Sequence, residues 1–190
     1  MARRTSSIER LVQPARPILA FVAGIWIVSL INLRSDLGLD RISGIVPRTL
    51  KGLVGIGAAP FIHANEQHLL ANTVPLLVLG TIVGVHNARR FWTISAAIVI
   101  LGGLGVWLFG RPASHIGASG LLFGYFGYLI TQGFYARSLA ELAAALLALF
   151  LYSGIVWGIL PQDGTHSWEA HLFGLIAGIA TARHNQAESG

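Results

Sequence analysis

Cysteine is absent from this 190-residue chain, which excludes disulfides, zinc thiolate sites and thiol nucleophiles. Charge is scarce as well. Only 11% of the residues are Asp, Glu, Lys or Arg, where an ordinary soluble domain carries about 25%. With 54% of the residues hydrophobic and a mean hydropathy of +0.65, a soluble fold of this size could not cover its own apolar surface. No internal repeat or low-complexity stretch is present, and no helix pattern is visibly broken, so the signature of a small inverted-repeat transporter is missing. The net charge of +5 does not mark a nucleic-acid partner, because the basic residues are scattered at the ends of apolar runs.

What is present suits a bilayer. There are 23 glycines, as expected where transmembrane helices pack closely. Six apolar runs are expected to form helices over about 18–33, 60–85, 91–110, 116–135, 139–160 and 168–182. Most approach the ~20 residues that span a hydrocarbon core, and the sixth needs its polar flanks to complete the crossing. The fold class expected is all-α, a polytopic bundle of six transmembrane helices. Residues 1–16 form a basic N-terminal tail, 17–183 one membrane domain, and 184–190 a C-terminal tail. A basic stretch precedes the first run, yet no small-residue cleavage site follows it, so that helix is expected to be retained rather than removed as a signal peptide. The segment 34–59 reads as a long, polar, Gly-dotted loop.

Orientation follows from the basic residues. With the N-terminus inside, Arg3, Arg4, Arg10, Arg16, Arg89, Arg90, Arg137 and Arg183 are cytoplasmic, against Arg34, Arg41, Arg48, Lys51 and Arg111 outside. Both termini are then cytoplasmic, in the cell membrane.

Polar groups at membrane depth are costly and by default mark function. They fall in three places: His63, Glu66, Gln67, His68 and Asn72 in the second run, His115 and Ser119 at the start of the fourth, and Glu169 and His171 at the start of the sixth. The second, fourth and sixth helices run in one direction, so these groups converge near one face. Ser119 and His171 are placed three or four residues into their helices, about 5 Å deep. Gly117-Ala118-Ser119-Gly120, Gly124 and Gly127 on one helix, and Gly174 and Gly178 on the other, allow the backbones to approach. His68 and Asn72, four apart, share a face. A serine, a base and two side-chain donors are the parts needed for acyl transfer. Glu66 and Glu169 are read as interfacial and solvated, His115 and His166 as loop residues, and the tryptophans as an interfacial belt.

These motifs resemble those of the rhomboid family of intramembrane serine proteases. That family carries His-x4-His-x3-Asn in its second helix, Gly-x-Ser-Gly in its fourth and Ala-His-x2-Gly-x3-Gly in its sixth. Here His63, His68 and Asn72, then Gly117 to Gly120, then Ala170-His171 with Gly174 and Gly178 occur in that order, across about 17–182. The resemblance implies a dyad without a third acid, with Ser119 as nucleophile and His171 as general base and then general acid. It implies an oxyanion held by the His68 and Asn72 side chains and the Ser119 N–H, with Gly117 and Ala118 as supporting residues. Phe123 stands where a tyrosine is common and packs on the histidine. His63 is left between a structural role at the turn and a direct one. The first loop lacks the Trp-Arg pair of many relatives, so no loop residue is assigned. No cofactor or metal is implied; the partners implied are single-span transmembrane substrates and membrane lipid, with no nucleic acid.

Each residue also has a plainer reading. A lone membrane serine usually serves helix packing, a lone histidine is usually packed or interfacial, and His68 with Asn72 could bond between helices for about 1 kcal/mol. A zinc protease would need His-Glu-x-x-His, and His63-Ala64-Asn65-Glu66-Gln67-His68 has the wrong spacing. A non-proteolytic rhomboid-like chaperone is the alternative function. Such relatives typically lack the serine or the histidine, and both are here.

Overall fold

The computed structural model describes residues 15–35, 38–39, 43–85, 88–135, 138–161 and 167–187. Among these the chain is helical apart from loops and one isolated antiparallel bridge, Ile45 to His115. Most of the expected N-terminal tail, Asp36, Asp40, Arg41, Arg137, His166 and the last three residues lie outside the described residues. The helices are α1 (Arg16–Arg34), α2 (Leu50–Ala58), α3 (Glu66–Gly84), α4 (Ala88–Phe109), α5 (Ser119–Phe134), α6 (Leu139–Tyr152) and α7 (Trp168–Ala187). Two 3-10 segments, Ala59–Phe61 and Ser153–Ile159, extend α2 and α6.

Among the described residues four stretches are long and apolar enough to cross a membrane: Arg16–Arg34, Glu66–Gly84, Ala88–Phe109 and Leu139–Ile159. The α5 helix is short at 16 residues, and α7 mixes polar residues into both ends. The expected loop 34–59 holds α2, a helix not foreseen. Thr49 starts it by accepting from the Gly52 N–H at 3.0 Å. This loop docks on the end of α4: the Arg48 guanidinium donates to the Leu108 and Gly110 carbonyls at 3.1 and 3.0 Å, and Trp107 Nε1 donates to Thr49 O at 2.8 Å. A positive side chain there also complements the negative helix end.

The second expected helix starts later than residue 60. Asn65 caps α3 by accepting from the His68 N–H at 2.8 Å, so His63 lies in the connection before it. The fourth starts at Ser119 rather than 116, because Gly117 takes φ +108°, outside helical space. The fifth tightens into 3-10 turns after Tyr152. The sixth continues to Ala187.

The core centres on α5, buried almost all round, with Ile25 of α1, Leu76 of α3 and Ile98 of α4 against it in one cluster. Its closest neighbour is α7. A methyl group on Gly174 would overlap the Gly120 carbonyl oxygen, and one on Gly178 that of Gly124. The small-residue stripe thus brings the two backbones together.

Candidate active site

Ser119 is the first residue of α5, and the peptides before it are held individually. The Gly117 N–H donates to Ala59 O at 2.9 Å and the Ala118 N–H to His63 Nε2 at 3.3 Å. His63 Nδ1 meets Ser29 Oγ at 3.0 Å, and that hydroxyl donates to Phe61 O at 2.9 Å. Only one protonation fits all three bonds. Nε2 must accept, so Nδ1 carries the proton and the ring is neutral. Burial, with the charge of His68 adding to it, lowers the His63 pKa to about 3. The ring is a fixed strut between α1 and the turn that precedes Ser119.

A pH dependence follows. The folded pKa is below the ordinary 6.5, so this contribution is complete above pH 6.5, falls as the unfolded chain takes up the proton, and is gone near pH 3. His63→Gln keeps one donor and one acceptor without a titrating ring. Its stability deficit against the parent, read as thermal unfolding in detergent, should therefore narrow by several kcal/mol at most between pH 6.5 and 3. A deficit constant across that range would show that the ring is not held neutral.

His171, in the first turn of α7, faces Ser119. Its Nε2 lies 2.9 Å from Ser119 Oγ, and its Nδ1 lies 2.8 Å from the carbonyl oxygen of Gly158. A carbonyl can only accept, so Nδ1 carries the proton and Nε2 presents a lone pair to the serine hydroxyl. The backbone of the 3-10 segment after α6 thus sets the tautomer of the ring and aims it. Phe123 stacks on the imidazole, with centroids 4.2 Å apart and planes 4° from parallel. Gly158 is required by contact. A methyl group there would lie 2.9 Å from the Phe123 ring and 3.1 Å from His171 Nδ1.

Ser119 and His171 open into a cavity of about 460 Å³ lined by Asn65, Gln67, His68, Asn72, Phe123 and Ile155 among others. His68 leans over Gly117, where an added methyl would lie 2.7 Å from its ring. Asn72, 5% exposed, donates one amide hydrogen to His68 O at 2.9 Å, which leaves its second for the cavity. The Ser119 N–H, at the first helical position, has no acceptor within α5.

Ser119, His171, His68, Asn72 and Phe123 therefore share one cavity, with Gly117 and Ala118 forming its turn and His63 behind it. Ser119 begins its helix rather than lying several residues within it. Glu66 is exposed and pairs with Arg34 at 2.9 Å. Glu169 is not solvated: it is 2% exposed and bridged to Arg111, because α7 begins against the loop after α4. His115 is a loop residue but a buried one, bonded to Ser167 Oγ at 2.6 Å. Ser29 and Gly158 escape a sequence reading, since a serine within an apolar helix and a glycine among many carry no local signal.

The profile of the rhomboid domain matches residues 51–184. The chain belongs to the rhomboid family. Rhomboid proteins are membrane proteins and generally serine intramembrane proteases, and the apolar helices agree with that setting. A Mycobacterium tuberculosis protein named only as uncharacterised is 43% identical over 94% of this chain and 78% of its own length. A Mycobacterium leprae protein, named in the same way, is 38% identical over 87% of this chain and 68% of its own. A Bacillus subtilis protein provisionally named a rhomboid protease is 30% identical over 62% of this chain and 60% of its own length.

Proposed function

We propose that this rhomboid protein is a serine endopeptidase that cuts transmembrane proteins near the external face of the cell membrane. One observation carries the reading: the His171 ring is held by Gly158 O so that its unprotonated nitrogen faces Ser119 Oγ at 2.9 Å. As Ser119 attacks a substrate carbonyl, His171 takes its proton, and later gives it to the departing amine. The oxyanion is met by the Ser119 N–H, the Asn72 amide and the His68 ring, in a field set by the positive end of α5. Gly117, Ala118 and His63 hold that peptide in place, and Phe123 keeps the imidazole in plane. Water then releases the acyl group, and the polar lining from Asn65, Gln67, His68 and Asn72 suits a hydrated cavity.

In this reading α1, α3, α4, α5, α6 and α7 all cross, giving six spans with both termini cytoplasmic, while α2 lies in the external loop. With 16 residues α5 is about 24 Å long, against a hydrocarbon core of about 30 Å. If its far end is level with its neighbours, Ser119 stops below the external surface. Only an extended backbone can meet the serine, because a helix keeps its carbonyls in its own bonds. The substrate expected is a single-span protein whose helix is weakened near its external end by Gly, Pro or polar residues. Stiffening that segment with Leu and Ala should slow cutting about tenfold or more, while the same change at the cytoplasmic end should alter it little. Mass spectrometry of the new termini tests this. Cleavage confined to the cytoplasmic half would overturn the assigned depth and topology.

A further inference from the structure

Two residues before His171 lies a carboxylate that the dyad mechanism does not use. Glu169 is 2% exposed. Its Oε1 accepts from the Arg111 peptide N–H at 3.4 Å and pairs with Arg111 Nε at 3.4 Å. No donor among the described residues reaches its Oε2. Beside this pair runs a second tie between the same two segments. His115 Nε2 donates to Arg111 O at 3.1 Å, and its Nδ1 meets Ser167 Oγ at 2.6 Å. Ser167 Oγ in turn accepts the Ala170 N–H at 3.2 Å, which starts α7. Both ties join the loop that ends at Ser119 to the first turn of the helix that carries His171.

A buried carboxylate with one oxygen unsatisfied is a poor device for stability, because an apolar side chain of the same volume commonly holds a fold as well or better. It is a good device for placement. The pair is directional, it spans the two segments whose separation fixes the Ser119–His171 distance, and the positive end of α7 favours a negative charge there. Resting on the dyad reading above, we propose that Glu169, through Arg111, is a positioning residue that sets the register of the base against the nucleophile. It touches no substrate. It acts by holding the first turn of α7 against the loop, and the Ser167–His115 bond ties the start of that turn to the same loop.

The test uses the full chain in detergent and in liposomes, with Glu169→Gln, Glu169→Met, Arg111→Met and the Glu169→Met/Arg111→Met double variant. Three quantities are read: thermal unfolding, the rate at which a fluorophosphonate labels Ser119, and kcat and KM for a transmembrane peptide. Glu169→Met, apolar and of similar volume, should unfold within a few degrees of the parent. It should nevertheless lose about 10- to 100-fold in labelling rate and in kcat, with KM changed less than about twofold, as expected of a sub-ångström to ångström misplacement of the dyad. The double variant should be no slower than the slower single one, since both act through one pair. If Glu169→Met folds and labels within about twofold of the parent, the positioning role is wrong. The same holds if its loss appears in KM alone. If Glu169→Met does not fold, the double variant, which removes both charges of the pair, carries the same test. Absence of labelling in the parent itself would remove the dyad reading, and this inference with it.

Discussion

Replacing Ser119 or His171 by alanine is expected to abolish cleavage of a transmembrane substrate while leaving the protein folded, and replacing both is expected to cost no more than replacing one. Neither side chain holds the fold together. Ser119 is partly exposed to the cavity, and the contact between α5 and α7 is made by Gly120, Gly124, Gly174 and Gly178 rather than by the dyad. Their one mutual bond, 2.9 Å from Nε2 to Oγ, has a chemical use only if a proton crosses it. Without the ring, the serine hydroxyl is a weak nucleophile at neutral pH. Without the hydroxyl, the ring has nothing to activate in the right place. Removal of either should lower kcat by about 10⁴-fold or more, and the double variant should match the singles because the groups act as a unit. Purified variants assayed in liposomes, with parent protein as reference, decide the matter. Substantial cleavage by the Ser119→Ala protein would remove the protease assignment.

The parts of the molecule legible in the sequence are those written as periodic or spaced patterns. Long apolar runs located α1, α3, α4 and α6, and Ser119, His171, His68, Asn72 and Phe123, which the motifs single out, line one cavity. Missed features depend on single contacts. The helix α2 was hidden because Leu50–Ala58 is short and sits in a Gly-rich stretch; the Thr49 cap starts it, and Arg48 and Thr49 just before it dock on Gly110 and Trp107 at the end of α4. The late start of α5 turns on the φ of Gly117 and on two peptide hydrogens claimed by Ala59 and His63. Ser29 and Gly158 act through one hydroxyl and one backbone carbonyl, neither of which has a composition signature. Glu169 was misplaced for a related reason. A glutamate next to a tryptophan at a helix start looks interfacial, and nothing local says that Arg111, 58 positions away, covers it.

The second large effect is expected at the oxyanion. Asn72→Ala and His68→Ala should each lower turnover by about 10²- to 10³-fold, the usual cost of losing one such donor. Asn72 is anchored by its own helix, giving one amide hydrogen to His68 O at 2.9 Å, so its second hydrogen is held in a fixed direction without any reorganisation at the moment of reaction. His68 is placed differently, in an edge-to-face contact with His63 at 4.9 Å between centroids and over Gly117, which has no side chain to displace it. The two therefore differ in what replaces them. Asn72→Asp keeps the shape but replaces the amide donor by a carboxylate that repels an oxyanion, so it should be at least as damaging as alanine. His68→Gln restores one donor on a longer, freer chain and should recover part of the loss. KM should move little in all four, because a substrate carbonyl gains these bonds only as charge develops on its oxygen. Fluorophosphonate labelling of Ser119 should slow but persist, since the dyad is intact. Steady-state kinetics in liposomes, with labelling rates beside them, distinguish the outcomes: normal turnover in both alanine variants would make His68 and Asn72 packing groups, and a change confined to KM would make them part of substrate binding.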